Sequence, residues 1–351
     1  MNLEHIVSNI KPLDQSAMDS ARARQAQLTK PRGSLGRLED LSIQLAGIMG
    51  SATPSIREKV VITMAGDHGV TAEGVSAYPQ EVTSQMVLNF LAGGAAINVL
   101  TRHAGARVVI VDMGVAADIP RQQGLLDKKI AHGTANMAKG PAMTRGQAVE
   151  SILRGAQVVL DEIQRGLDIV GTGDMGIGNT TASAAMACAL MQQSPSEIAG
   201  RGTGLDDEGY NRKLSAIERA LRVNRPDPKD GLDVLAKVGG FEIGGLAGVM
   251  LGAASRGKPV VIDGFISTAA AMIAVTLAPA CQEYLISAHR SQEHGHGRML
   301  DWLGLTPLLE LDLRLGEGTG AALGISFAEA ACKILAEMAT FGEAGVSEKN
   351  D

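Results

Sequence analysis

One carboxylate in this sequence stands apart by its surroundings: Glu317, within Arg314-Leu315-Gly316-Glu317-Gly318-Thr319-Gly320-Ala321-Ala322-Leu323. Glycines on both sides, and another two residues on, let a ligand or a second backbone segment come close. A lone acid in that setting suits proton transfer. It equally suits capping the helix that the small apolar run begins, where the dipole favours negative charge. A second stretch, Gly171-Thr172-Gly173-Asp174-Met175-Gly176-Ile177-Gly178, follows an apolar run and precedes Asn179-Thr180-Thr181. Amide groups at a helix start after a glycine-rich turn bind anions, phosphate above all. Gly173, Gly176, Asn179, Thr180 and Thr181 are therefore candidate phosphate ligands, the alternative being a purely structural tight turn. Gly202, in Arg201-Gly202-Thr203-Gly204, and Lys213 add donors, although Lys213 also reads as an exposed helix residue.

The stretch is formally Gly-x-Gly-x-x-Gly. A dinucleotide fingerprint also needs a second strand ending in an acid about twenty residues on, and residues 192–200 read as a loop in which Glu197 follows no strand. No Gly-x-x-x-x-Gly-Lys-Ser/Thr occurs, which argues against a P-loop nucleotidase. Asp67-His68 ends another apolar run and is either a site pair or a capping Asp beside a core His. Asp263, at a similar end, is placed to accept from ribose hydroxyls or to cap the helix that follows. Val108 to Asp112 is similar to the ribose-holding strand of pyrophosphate-dependent phosphoribosyltransferases, but Met113 replaces a second acid. His289, Glu293, His294 and His296 do not share one helical face, and Gly295 and Gly297 point to a loose turn, so no metal site is expected there.

These residues need a scaffold that brings them together. Short apolar runs at Lys59–Met64, Arg107–Val111, Leu167–Val170, Pro259–Ile262 and Tyr284–Ser287 each end in small or acidic residues and lead into helical stretches. Apolar strands alternating with helices predict a mainly parallel sheet covered on both faces, a three-layer α/β/α arrangement. Ligands on such sheets bind at the carboxyl ends of the strands, where the polar clusters fall. Helices are expected at 16–27, 38–49, 79–91, 94–103, 144–165, 179–191, 206–222, 243–255, 267–277, 291–303 and 319–339. Residues 114–141 read as a loop with a short strand near 128–131, and the tail 342–351 is expected to fray. Residues 1–53 and 319–351 have no strands of their own and are expected to pack as a small helical domain beside a large α/β domain at 54–318.

Composition narrows the function. Among 351 residues, 45% are hydrophobic but only 3% aromatic, with 43 Gly and 15 Met, so the core is aliphatic and its helices closely packed. A net charge of −6 without a basic cluster argues against nucleic acid or anionic membrane as partner. The N-terminus lacks a signal-peptide pattern and the apolar runs do not suit a membrane span. The three cysteines are far apart and read as buried thiols in a reducing cytoplasm.

Taken together, Lys30-Pro31-x-Gly33-Ser34-Leu35-Gly36-Arg37-Leu38-Glu39, Asp67-His68-Gly69-Val70, Asn179-Thr180-Thr181, Lys237-Val238-Gly239-Gly240-Phe241, Asp263-Gly264-Phe265 and Arg314-Leu315-Gly316-Glu317-Gly318 resemble the nicotinate-nucleotide:dimethylbenzimidazole phosphoribosyltransferase family over nearly the whole chain. The resemblance implies a cytoplasmic homodimer that moves phosphoribose from nicotinate mononucleotide to a benzimidazole, giving an α-ribotide and nicotinate, with no metal or other cofactor. It implies that Glu317 is the general base. The family's second carboxylate is usually Glu, where this chain has Asp174. The acceptor base is expected among apolar groups, with Tyr78, Met86 and Leu315 as candidates. Two rivals remain at this point: a dinucleotide-dependent oxidoreductase, and a non-catalytic nucleotide-binding module.

Overall fold

A computed structural model describes residues 2–347. Strand β1 (Lys59–Gly66) shows why the sheet is apolar on both sides: Val60, Ile62 and Met64 belong to one buried cluster, Val61 and Ala65 to another. Successive side chains of a strand point to opposite faces, so each face needs its own cover. Before β1 come three helices, α1 (Leu3–Ser8), α2 (Gln15–Gln27) and α3 (Arg37–Met49). After it follow α4 (Val82–Leu91), α5 (Ala96–Ala104), β2 (Arg107–Gly114), β3 (Leu125–Asp127), α6 (Arg145–Gln164), β4 (Ile169–Met175) and α7 (Asn179–Met191). The chain continues through α8 (Pro195–Ile198), α9 (Asp207–Asn224), α10 (Gly231–Val238), α11 (Phe241–Ala254), β5 (Val260–Ile262), α12 (Phe265–Leu277) and β6 (Leu285–Ser287). It closes with α13 (His296–Leu303), α14 (Thr319–Glu337) and α15 (Phe341–Ala344).

The six strands form one all-parallel sheet in the order β3-β2-β1-β4-β5-β6. One face is covered by α6, α11, α12 and α7, the other by α14, α5 and α3. The glycine content has a visible use where α6 meets α11. A Cβ on Gly155 would fall on the carbonyl of Gly245, and one on Gly248 on the carbonyl of Ile152, so the two helices touch backbone to backbone.

The long C-terminal helix serves two neighbours. Near its start Ala321 and Ile325 pack over Gly171, while near its end Leu335 joins Ala21 and Ala46 of α2 and α3. Arg24 donates to the carbonyls of Leu335 and Ala336, tying the two chain ends together. By length and composition, Val82–Ala104 and α14 are apolar enough to cross a membrane. In the fold the first is broken between α4 and α5, and α14 lies against the sheet.

Most expected elements occur within a few residues of their predicted bounds. Several differ. The edge strand is Leu125–Asp127, ahead of the expected 128–131, because pairing with Ile110–Asp112 selects its register. Helix α13 starts at His296, five residues late. Helices α1, α8 and α10 were not expected, α8 lying in the stretch read as a loop; Asp230 caps α10 by accepting from the N–H groups of Leu232 and Asp233. Of the expected frayed tail, Phe341–Ala344 forms a capped turn of helix, and residues 348–351 lie outside the described residues.

Candidate active site

In this strand order the connections leave β1 for β2 on one side and reach β4 on the other. A crevice opens between the carboxyl ends of β1 and β4, the position where ligands bind on such sheets. Glu317 sits over it. Its N–H donates to the Asp174 carbonyl (3.1 Å) and its own carbonyl accepts from the Thr63 hydroxyl (2.8 Å). Gly173 makes room: a Cβ there would fall on the Glu317 carbonyl. The backbone of Glu317 is left-handed, φ +64°, between Gly316 at +84° and Gly318 at +98°. Such a conformation costs a non-glycine residue on the order of 1–3 kcal/mol and persists only where its surroundings enforce it.

The Glu317 side chain is buried, 4% exposed, and its Oε2 accepts from the Ile97 N–H (3.2 Å) at the start of α5. Burial pushes its carboxyl above the usual range, the Ile97 bond opposes this, and the nearby Asp263 charge adds to the rise. A carboxylate aimed by one backbone donor, with its pKa drawn upward, is suited to accept a proton near neutral pH. Asp174 lies beside it, close to the Cα of Gly316, and accepts from the Asn179 side chain (2.9 Å). Burial first, then the Asp263, Glu242 and Glu317 charges, hold the Asp174 carboxyl well above the usual range, against the pull of Asn179.

Asp263 does not cap the helix that follows it. Its Oδ1 accepts from the N–H groups of Gly320 (2.7 Å) and Ala321 (3.1 Å), and its Oδ2 from that of Gly318 (3.2 Å). It therefore clamps the start of α14, and with it the Glu317 turn; a ribose hydroxyl would have to share these oxygens. His289 stands 3.6 Å from Oδ1.

Gly176 to Gly178 form the turn before α7, whose first residues are Asn179, Thr180 and Thr181. Lys213, on α9, reaches across with Nζ 3.0 Å from both the Thr180 hydroxyl and the Gly200 carbonyl. Lys213 is fully buried, and burial pulls its ammonium down to about 8. Gly202 closes over this point: a Cβ there would stand 2.9 Å from the Thr180 hydroxyl and 3.2 Å from Nζ. Thr180, Gly202 and Lys213 are thus brought together, beside a cleft of about 580 Å³ lined by Gly200, Arg201, Gly202, Glu293 and Arg314. Asn179 instead bonds Asp174, and Gly176 packs on the Gly66 carbonyl. Two further expected ligands are also placed elsewhere. Gly173 is a strand residue beneath Glu317, and the Thr181 hydroxyl is buried without a partner. Because Gly171 and Gly173 both lie inside β4, packed under Ala321 and Glu317, the Gly-x-Gly-x-x-Gly pattern is not a phosphate-binding turn.

The three residues expected around the base are less enclosed. Leu315 and Tyr78 are exposed, and Met86, on α4, is half-buried against the cluster that covers the α14 face. The loop of Tyr78 is fastened to the Gly202 segment, since the Ala77 N–H donates to Thr203 Oγ1 (3.1 Å). Asp112 closes a local turn by accepting from Gly114 and Val115 and pairs with Lys129 at 3.2 Å. The histidines diverge: His296 bonds Thr268 Oγ1, its pKa pushed down to about 3 by burial, while His294 lines the cleft. Among the described residues no three His, Cys, Asp or Glu side chains are grouped to hold a metal.

Sequence reasoning missed Ile97, Thr63 and Glu242. The first two act through backbone and hydroxyl contacts that leave no trace in sequence. Glu242 did leave one, as the only charged residue of α11.

Known proteins resemble this chain along nearly its whole length. A family model described as phosphoribosyltransferase matches residues 10–346. The nicotinate-nucleotide–dimethylbenzimidazole phosphoribosyltransferase of Roseiflexus sp. strain RS-1 is 61% identical over 347 residues, covering 99% of this chain and 98% of the relative. That of Chloroflexus aggregans is 58% identical over 349 residues, covering 99% of each. The crystal structure of CobT from Thermus thermophilus superposes with a TM-score of 0.92 at 48% identity, covering 95% of this chain and all of the other. The chain belongs to the nicotinate-nucleotide–dimethylbenzimidazole phosphoribosyltransferase family.

Proposed function

We propose that this chain transfers the 5-phosphoribosyl group of nicotinate mononucleotide to 5,6-dimethylbenzimidazole or a related base, with Glu317 as general base. The observation that carries the reading is a buried carboxylate in a left-handed turn, aimed by the Ile97 N–H over the β1–β4 crevice. The turn at the start of α7 and Lys213 suit the phosphate, which fixes the ribose and makes attack effectively intramolecular. The bond from C1′ to the pyridinium nitrogen breaks with its electron pair going to the ring, so nicotinate leaves with a neutral nitrogen. A benzimidazole nitrogen bonds to C1′ from the opposite face, which yields the α-ribotide, and the proton on its other nitrogen passes to Glu317. Positive charge growing on the ribose is opposed by whatever negative charge Asp174 and Asp263 carry.

The three cysteines are buried and unpaired, which suits a reducing cytoplasm. Leu88 on α4 and Val99 on α5 stand in solvent, apolar surface that a second copy in a homodimer would cover. The direct test incubates the protein with nicotinate mononucleotide and dimethylbenzimidazole: nicotinate and α-ribotide should form one to one. Binding without release would leave only a nucleotide-binding module.

A further inference from the structure

Beneath the crevice lies a group the transfer does not use. His68, just past β1, and Glu242, in the first turn of α11, meet with Nε2 and Oε1 2.6 Å apart, and both are buried. Glu242 Oε2 is buried with no partner. Three glycines make room for this carboxylate. A Cβ on Gly66 would come within 2.8 Å of Oε2, one on Gly240 within 2.7 Å of Oε2, and one on Gly176 within 3.5 Å of Oε1. The end of β1, the β4–α7 turn and the start of α11 therefore converge on a single anion. The same turn carries Asp174 at its start and leads into α7, and Gly178 packs on the His68 Cβ.

We propose that His68 is a positioning residue for the transfer, acting through Glu242: the imidazolium neutralises the carboxylate under the β4–α7 turn, so that Asp174, the next carboxyl along that turn, ionises as if it were absent. The charged groups bearing on the pair are Asp67 from the end of β1 and Asp174 from β4, with Asp263 and Glu317 beyond Asp174. None of these is cationic, which leaves His68 as the counter-charge. Burial alone would strip the imidazole of its proton, yet the Glu242 and Asp67 charges hold its pKa above the ordinary value. Replacing an imidazolium by an amide in a site of low dielectric leaves one uncompensated negative charge, and a neighbouring carboxyl then keeps its proton to higher pH.

The inference rests on the general-base reading, so the test includes Glu317→Gln beside His68→Gln, Glu242→Gln and the double variant. For each, kcat/KM is measured from pH 5 to 9, together with thermal unfolding. His68→Gln should move the acid limb up by about one pH unit, with the loss approaching tenfold on the acid side of the wild-type limb. The double variant carries no net charge at the pair and should return the limb to its wild-type place; Glu242→Gln should leave it there or lower. Should His68→Gln fail to fold, His68→Asn takes its place in the same comparison; a limb moved upward in Glu242→Gln or in the double variant overturns the proposal. A His68→Gln profile overlaying the wild type, with only melting temperature lowered, assigns the pair a structural role and likewise overturns it. If instead Glu317→Gln keeps full activity, the base assignment has failed, whatever the His68 profiles show.

Discussion

The α6–α11 contact and the crevice at the ends of β1 and β4 lie on the same sheet and are built in opposite ways. In the first, Gly155, Gly245 and Gly248 let two helix backbones touch, with aliphatic side chains filling what remains. In the second, glycines make room for charge: Gly173 for the Glu317 turn, and Gly66, Gly176 and Gly240 for the Glu242 carboxylate. Close packing is therefore not the mark of the functional region, since both regions have it. What separates them is that Asp67, Asp174, Glu242, Asp263 and Glu317 are all buried in the crevice, and burial holds the carboxyls of Asp67, Asp174 and Glu317 above their ordinary range. The scaffold face stabilises the fold, and the crevice draws on that stability to hold a destabilised site.

Three substitutions sharpen the contrast. Lys213→Met removes the buried cation but keeps the volume; kcat/KM for nicotinate mononucleotide should fall roughly 100-fold, mostly through KM, as expected for loss of a charge-assisted phosphate contact. The wild-type value should also decline as pH rises through about 8, where the Lys213 ammonium loses its proton, and the variant should lack that decline. Gly155→Ala puts a methyl against the Gly245 carbonyl; unfolding should become easier by about 1–3 kcal/mol, measured by denaturant titration, with the active-site pH profile unchanged.

Asp174→Asn should do the reverse. The carboxyl pKa is higher folded than unfolded, so the folded chain binds the proton more tightly and stability drops as pH rises through that window. At pH 7 the amide should therefore raise stability, on the order of 1 kcal/mol, and raise the melting temperature while turnover falls. A lower melting temperature would mean that the Asn179 bond outweighs the cost of burial.

Much of this was legible from sequence wherever the signal is local. The strands show as apolar runs, α7 starts at Asn179 as its glycine-rich approach announces, and Glu317 between two glycines marks itself. What stayed hidden depends on the sheet order. Asp263 reads from sequence as a ribose ligand or a cap for the next helix, but strand order places it under α14, more than fifty residues on, where three backbone donors converge on it. Gly171 and Gly173 matched a nucleotide motif, yet register places them inside β4, under residues of the far C-terminus. The Ile97 N–H that aims Glu317 belongs to a helix whose N-cap is Ala95, a residue with no capping oxygen, and no residue type announces it.

The proposed transfer turns on one proton acceptor in the crevice, Glu317. Glu317→Gln keeps the volume of the side chain and its ability to accept from the Ile97 N–H, but removes the base. The decisive measurement is release of nicotinate by this variant, with nicotinate mononucleotide binding followed by calorimetry in the same preparation. The account predicts binding within a few-fold of wild type and a turnover reduced by roughly 10²–10⁴. Turnover near the wild-type rate would contradict it.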